Sequence, residues 1–350
     1  MAPVVAAVEA SKSLEVVVIS TGQQRELAAQ ALAGFNIEPA FNLDVMRDNQ
    51  GLAALTGRIL AGLDEVLADL KCDALLCHGD TTTALSAALA GFYRRIPIGH
   101  VEAGLRTYDF DHPWPEEMNR RLIDPICRWC FAPTELSKSN LISEGVDESH
   151  IHVTGNTVID ALLNLRAQQS SHSETASEPG VREILVTGHR RESFGDGFQN
   201  ICTAIHTLAE ERDDVKFIYP VHLNPNVRKP VMGLLGSHPR IDLREPVGYE
   251  EFVSLMSRSY FLLTDSGGVQ EEAPSLGKPV LVMRDTTERP EGVDAGTCTL
   301  VGTDPNRIMS SCRELLDDKS EYKRRSSLAN PYGDGHAAER IVSVLEEELG

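Results

Sequence analysis

The chain has 350 residues, a net charge of −19, and a composition that is 41% hydrophobic and 24% charged, the profile of a soluble globular protein. Its length exceeds what one hydrophobic core fills comfortably, so two domains are expected. So acidic a chain excludes nucleic acid and anionic membrane surfaces as partners, and no apolar run approaches the ~18 residues of a membrane span.

The opening MAPVVAAVEASKS lacks the basic start and long apolar core of a secretory signal, so the cytoplasm is the expected location. It reads as a helix with no strand ahead of it, although every later helix of the first half follows one, which leaves open a genuine helical start or a missing first strand. Strands are expected in LEVVVIS from Leu14, DALLCHGD from Asp73, IPIGHVEAG from Ile96, WCFAPT from Trp129 and HIHVTGN from His150, with amphipathic helices between them. The segment SSHSETASEPG is polar, Ser-rich and aperiodic, as a flexible connection is. The strand-helix alternation then restarts with EILVTG, KFIYPVHLN, RIDLREPV, YFLLTDSG, KPVLVMRD and CTLVGT.

This alternation predicts an α/β protein of two Rossmann-like, doubly wound domains facing each other across a cleft, with ligands at the strand C-termini. The expected boundaries are 1–168 for the N-terminal domain, apparently without its first strand, 169–180 for the linker and 181–335 for the C-terminal domain. A closing helix over 336–350 can pack back on the N-terminal domain. The seven cysteines are odd in number and scattered through apolar segments, which suits reduced core thiols. Cys127 and Cys130 have the spacing of a redox pair or of half a zinc site, but no second ligand pair follows and the two lie across a helix end and an apolar strand, so core thiols and no metal are expected.

Three constellations carry chemistry. In TDSGGVQEEAPSLGKP an apolar strand runs into Ser266-Gly267-Gly268 and then a helix, so backbone N–H groups converge where a phosphate can approach. Glu272, a turn later, is placed to reach vicinal hydroxyls; an ordinary tight turn is the plain alternative. In VTGHRRESFG, His189, Arg190 and Arg191 bring positive charge to a strand end, as a pyrophosphate site requires, although such a triplet is often a surface patch. In the first half, Asp80, Glu102 and Glu116 fall at strand ends, where burial and mutual repulsion shift carboxylate pKa values. The plain alternatives are an N-cap for Asp80, an ion pair with Arg106 for Glu102, and dipole-complementing first-turn acids for Glu116 and Glu117 after Pro115. No dinucleotide fingerprint is present.

HGDTTTALSAALA, HVEAGLRT, HPWPEEMNRR, VTGNTVIDAL, VTGHRRESFG, YPVHLNPNVR and TDSGGVQEEAPSLGKPVLVMRDTTERPEGVDAGT closely resemble the non-hydrolysing UDP-N-acetylglucosamine 2-epimerase family, almost continuously from Gly22 onward. The resemblance implies a GT-B-like fold and reversible interconversion of UDP-GlcNAc and UDP-ManNAc without a cofactor, by elimination of UDP to 2-acetamidoglucal and re-addition. It implies Asp80, Glu102, Glu116 and His189 as catalytic residues. Phe252, Ser266, Gly267, Gly268 and Glu272 would form the UDP site, with Phe252 on uracil and Glu272 on ribose. Gln23 and Arg25, with Arg190 and His222, would hold an activating second UDP-GlcNAc, although Gln24 stands where the family commonly has histidine. A homodimer serving surface-polysaccharide synthesis is implied as well. Family members begin with a strand ending in a Gly-Thr-Arg-Pro-Glu turn and a lysine ahead of the segment matching Met1, so the sequence as written is expected to be impaired. A retaining glycosyltransferase and a non-catalytic UDP-sugar binder are the competing readings.

Overall fold

The computed structural model describes residues 1–22, 32, 34–35, 37–47, 50–169, 180–190 and 193–350. The chain divides into two compact units, Met1–Ala161 with Gly333–Gly350, and Leu162–Tyr332.

In the first unit, β1 (Ile19–Ser20) and β2 (Phe41–Asn42) form a short parallel pair. Strands β3 (Leu75–His78), β4 (Ile98–Val101), β5 (Trp129–Ala132) and β6 (Ile151–Val153) form a four-stranded parallel sheet in that spatial order. β4 and β5 are buried along their whole length, as apolar strands covered on both faces must be. The helix Thr82–Tyr93 buries a small-residue face of Ala84, Ala88 and Ala90. The terminal helices Ala2–Ala10 and Ala337–Leu349 share one apolar cluster with Val101, Trp129 and Phe131.

The sequence predicts a longer strand from Leu14 than the fold contains. In the parallel register Ile19 faces Phe41, so Val17 would face Pro39, which has no N–H to donate to a ladder. Pairing therefore begins where Ala40 N–H donates to the Val18 carbonyl at 2.9 Å. Leu14 and Val16 instead pack against the cluster around Trp129.

The second unit holds a six-stranded parallel sheet: β7 (Arg182–Thr187), β8 (Val215–Pro220), β9 (Ile241–Arg244), β10 (Phe261–Thr264), β11 (Val280–Val282) and β12 (Cys298–Leu300). Their spatial order is β12-β11-β10-β7-β8-β9. The chain steps outward from β7 to β9, returns to pair β10 beside β7, and steps outward the other way. The order thus reverses between β7 and β10, the switch point where loops diverge and ligands bind in open α/β sheets. Both faces are sealed, one by Phe198, Phe217, Tyr219 and Phe261, the other by Leu262, Val280, Val253 and Met256.

All seven cysteines are free thiols, six of them buried. Among the described residues, no helix is long and apolar enough to cross a membrane.

Candidate functional site

In the first unit Asp80 and Glu102 follow the ends of β3 and β4. Gly79, at φ +68°, turns the chain out of β3, and a Cβ placed on it would lie 3.3 Å from Glu102 Oε2. Glu102 itself has φ 72°, a left-handed backbone rarely adopted by a residue with a side chain. Its carboxylate lies 3.4 Å from His78 Nε2 and accepts from Asn156 Nδ2 at 3.4 Å.

Asp80 is released from capping because the adjacent Thr81 is the N-cap, its hydroxyl accepting from Ala84 N–H at 3.2 Å. The Asp80 carboxylate pairs with Arg120 Nη2 at 3.0 Å, and its carbonyl accepts from Asn119 Nδ2 at 2.7 Å. Arg106 does not neutralise Glu102; it is taken up by Asp124 and Glu144, at 2.6 and 2.7 Å.

Glu116 is not at a strand end. It is the first residue of the helix Glu116–Ile123, with Pro115 as N-cap rather than first helical residue, and the two acids there separate in role. Glu116 is half-buried, and its carbonyl accepts from Arg120 Nε at 3.4 Å. Glu117 is fully buried and accepts from Thr107 N–H and Tyr108 N–H, both at 3.0 Å, while Arg120 Nε lies 3.6 Å away. Glu117 thus anchors the preceding loop, a task that its place in a charged run conceals. Arg120, buried among these groups, touches Asp80, Glu116 and Glu117 at once.

In the second unit the candidate residues gather at the β7/β10 switch point. Asp265, fully buried after β10, accepts from the backbone N–H groups of His189 and Arg190 at 2.7 and 2.8 Å, tying the two loops together. Its other oxygen lies 3.3 Å from His189 Nδ1. The His189 and His222 rings stack at 5.6 Å, and Arg190 reaches Glu288 at 3.5 Å. Burial, helped by Arg190 and His222, outweighs Asp265 and holds His189 below the usual histidine range. A neutral ring there can donate from one nitrogen only.

Ser266 caps the short helix Gly267–Glu272. A Cβ at Gly267 would meet Arg289 Nη1 at 2.7 Å, whereas at Gly268 the nearest atom is Glu272 Oε2 at 3.9 Å. Gly268 therefore leaves an open approach to the turn. Phe252 is half-buried at the edge of the apolar cluster on one sheet face.

Glu272 is buried, and Tyr249 O–H donates to it. Desolvation pushes its pKa up to about 7 against the opposing Tyr249 hydrogen bond. This raised carboxylate lies one helical turn beyond Ser266-Gly267-Gly268. Because the folded pKa exceeds the unfolded one, stability from protonated Glu272 is fully present below about pH 4.5 and is lost as pH rises through about 7. That difference is worth about 3 kcal/mol. Urea titrations from pH 4.5 to 8 should show wild type losing stability relative to Glu272→Gln, and a constant difference would refute the assignment.

Gln23, Gln24, Arg25 and Arg191 lie outside the described residues. Among the described residues no group of three or more His, Cys, Asp or Glu side chains is arranged to hold a metal. The sequence reading missed Tyr249 and the structural weight of Asp265 and Arg120. Asp265 had a signal, being the acid just before Ser266-Gly267-Gly268 at a strand end; Tyr249 had none.

A parallel α/β protein with a glycine turn at the switch point of one sheet and carboxylates just past strand ends in its other unit has the features of a nucleotide-binding α/β protein. The family described as UDP-N-acetylglucosamine 2-epimerase matches residues 6–346. The UDP-N-acetylglucosamine 2-epimerase of Escherichia coli K12 is 52% identical over 355 residues, covering 99% of this chain and 94% of that protein. The crystal structure of UDP-GlcNAc 2-epimerase from Neisseria meningitidis bound to UDP-GlcNAc superposes with a TM-score of 0.92 at 47% identity, covering 99% of this chain and 96% of that one. An S. aureus MnaA–UDP co-structure gives a TM-score of 0.88 at 42% identity, over 100% and 93% of the two chains. The chain belongs to the UDP-N-acetylglucosamine 2-epimerase family.

Proposed function

We infer that this protein is an isomerase that interconverts UDP-GlcNAc and UDP-ManNAc by inverting C2 of the sugar. What carries the reading is the presence in one chain of Asp80 and Glu102 just past β3 and β4 and of the Ser266-Gly267-Gly268 turn after β10, in a family whose curated relatives are named for this epimerisation. The C2 proton is not adjacent to a carbonyl, so direct removal and return is far too costly. Elimination avoids this: a carboxylate takes the C2 proton, the C1–O bond breaks, and UDP leaves with the bonding electrons to give 2-acetamidoglucal. Re-addition of UDP to C1 with protonation at the other face of C2 restores the nucleotide sugar, so atoms and charge balance without a redox partner.

On this reading Asp80, Glu102 and Glu116 handle the C2 proton, as base on one face and acid on the other. His189 stabilises the departing diphosphate. Ser266, Gly267 and Gly268 hold the phosphates, Glu272 the ribose hydroxyls and Phe252 the uracil. Arg190 and His222 bind an activating second UDP-GlcNAc. The stacking of His222 on His189 supports this, because it puts one residue of each assignment in ring contact. A homodimer in the cytoplasm, supplying ManNAc-type sugars to surface polysaccharide, completes the reading on the strength of the family resemblance.

Incubation of UDP-GlcNAc alone in D2O tests it. Deuterium should enter C2 and UDP-ManNAc should form. A retaining glycosyltransferase without acceptor would do neither, and a non-catalytic binder would show saturable UDP binding with no exchange. The names of the curated relatives favour the epimerase over both.

A further inference from the structure

Behind the Gly79-Asp80 turn lies a buried charged group that the proposed chemistry leaves unused. His100, on β4, is fully buried, with Nδ1 2.5 Å from Asp124 Oδ1 and Nε2 2.8 Å from the Gly79 carbonyl. Both neighbours accept. The carbonyl has no proton, and Asp124, also fully buried, is held below the usual carboxylate range because His100 and Arg106 outweigh its burial. A neutral imidazole has one N–H and would turn a lone pair toward one of these acceptors, leaving it unsatisfied in the interior. Only the doubly protonated ring satisfies both.

The surrounding charges support that state. Arg106 and His100 are matched by Asp124 and Glu144, with Arg106 Nη2 at 2.6 and 2.7 Å from the two carboxylates. His78 and Cys77 face the group from β3, Cys127 and Cys130 from around β5, and Glu102 from beyond β4. Burial disfavours the cation, but Asp124, the Gly79 carbonyl and Glu102 together raise the ring above the ordinary histidine range.

The bond to Gly79 bears on the proposed site. Gly79 precedes Asp80, and Glu102 rests against it, with Oε2 3.3 Å from where its Cβ would be. Asn119 and Arg120 fix Asp80 from one side of the turn; His100 fixes the residue before it. We propose that His100 is a positioning residue for the epimerisation, a buried imidazolium anchored by Asp124 whose Nε2–H holds the Gly79 carbonyl and so sets Asp80 against Glu102. This rests on the roles given above to those two acids.

The test uses the full chain and three variants, with kcat and KM for UDP-GlcNAc, UDP affinity, and ¹⁵N NMR of the ring. In wild type both His100 nitrogens should be protonated and hydrogen-bonded at pH 8. His100→Asn cannot reach the Gly79 carbonyl and should lower kcat about 100-fold, the scale of a small misplacement of reacting groups, with KM and UDP affinity little changed. His100→Gln can place its amide N–H near the Nε2 position and should recover most of that loss. Asp124→Asn keeps the ring and should let it lose its second proton below pH 8, with a fall in kcat. A singly protonated wild-type ring at pH 8, wild-type kcat in His100→Asn or Asp124→Asn, or equal loss in the Asn and Gln variants would each overturn the proposal. Ring protonation is read without substrate, so failure of the epimerase reading, seen as absent wild-type C2 exchange, is distinguishable from failure of this one.

Discussion

Asp80→Asn, Glu102→Gln and Glu116→Gln are each expected to cut deuterium exchange at C2 by about 10³-fold or more while leaving UDP affinity within a few-fold of wild type. General acid–base groups contribute 10² to 10⁴ in rate, and a two-face elimination and re-addition depends on such groups in both directions. The substitutions preserve shape, and the local contacts limit collateral damage. The Asp80→Asn variant would keep the backbone carbonyl bond to Asn119, which does not use the substituted side chain, and Arg120 would retain Glu117 at 3.6 Å. Glu117→Gln is the control. It replaces a buried carboxylate that accepts two backbone N–H bonds, so one donor would face an amide N–H. The cost is about 1–3 kcal/mol of stability, with a smaller loss of exchange. Full exchange in the Asp80 or Glu102 variant would remove that residue from the chemistry, and lost UDP binding would reassign it to nucleotide recognition.

Gly268→Val is expected to weaken UDP binding about 100-fold, or about 2.7 kcal/mol, and to abolish exchange with it. The fold should tolerate the side chain, because its Cβ meets nothing closer than Glu272 Oε2 at 3.9 Å and the helix-propensity change is below about 1 kcal/mol. A loss of affinity without a loss of stability then reports on ligand occupying that space. Gly267 would be a poor choice, since its Cβ would press on Arg289 at 2.7 Å and disturb the ion pairs with Glu271 and Glu288. Calorimetry with UDP, alongside a thermal melt of each form, decides it; wild-type affinity in Gly268→Val would exclude the phosphates from this turn.

What the sequence made legible follows from what local chemistry dictates. Continuous apolar runs such as those leading into His78 and Thr264 read as buried parallel strands, because only a two-sided core needs them. The run from Leu14 looks the same but pairs only over its last two residues, Ile19 and Ser20, for a reason located elsewhere, in the missing N–H of Pro39. The Asp80 cap was a fair alternative by residue type, and a neighbouring threonine took the position. Partnerships across sequence were not readable. Arg106 sits four residues from Glu102 yet pairs with Asp124, and Tyr249 reaches Glu272 across 23 positions. Charged residues read singly look like surface, and their burial emerges only when several are brought together, as around His100.

The backbone at Glu102 has a consequence for how the protein tolerates change. A left-handed conformation costs a residue with a Cβ about 1–2 kcal/mol that glycine does not incur, so at φ 72° the substitution that relieves the backbone strain is the one that deletes the proposed reagent. A library varied at position 102 and sorted for abundance alone should enrich glycine; the same library sorted for UDP-ManNAc formation should discard it. Where the two selections part company, the position records a trade of robustness for chemistry.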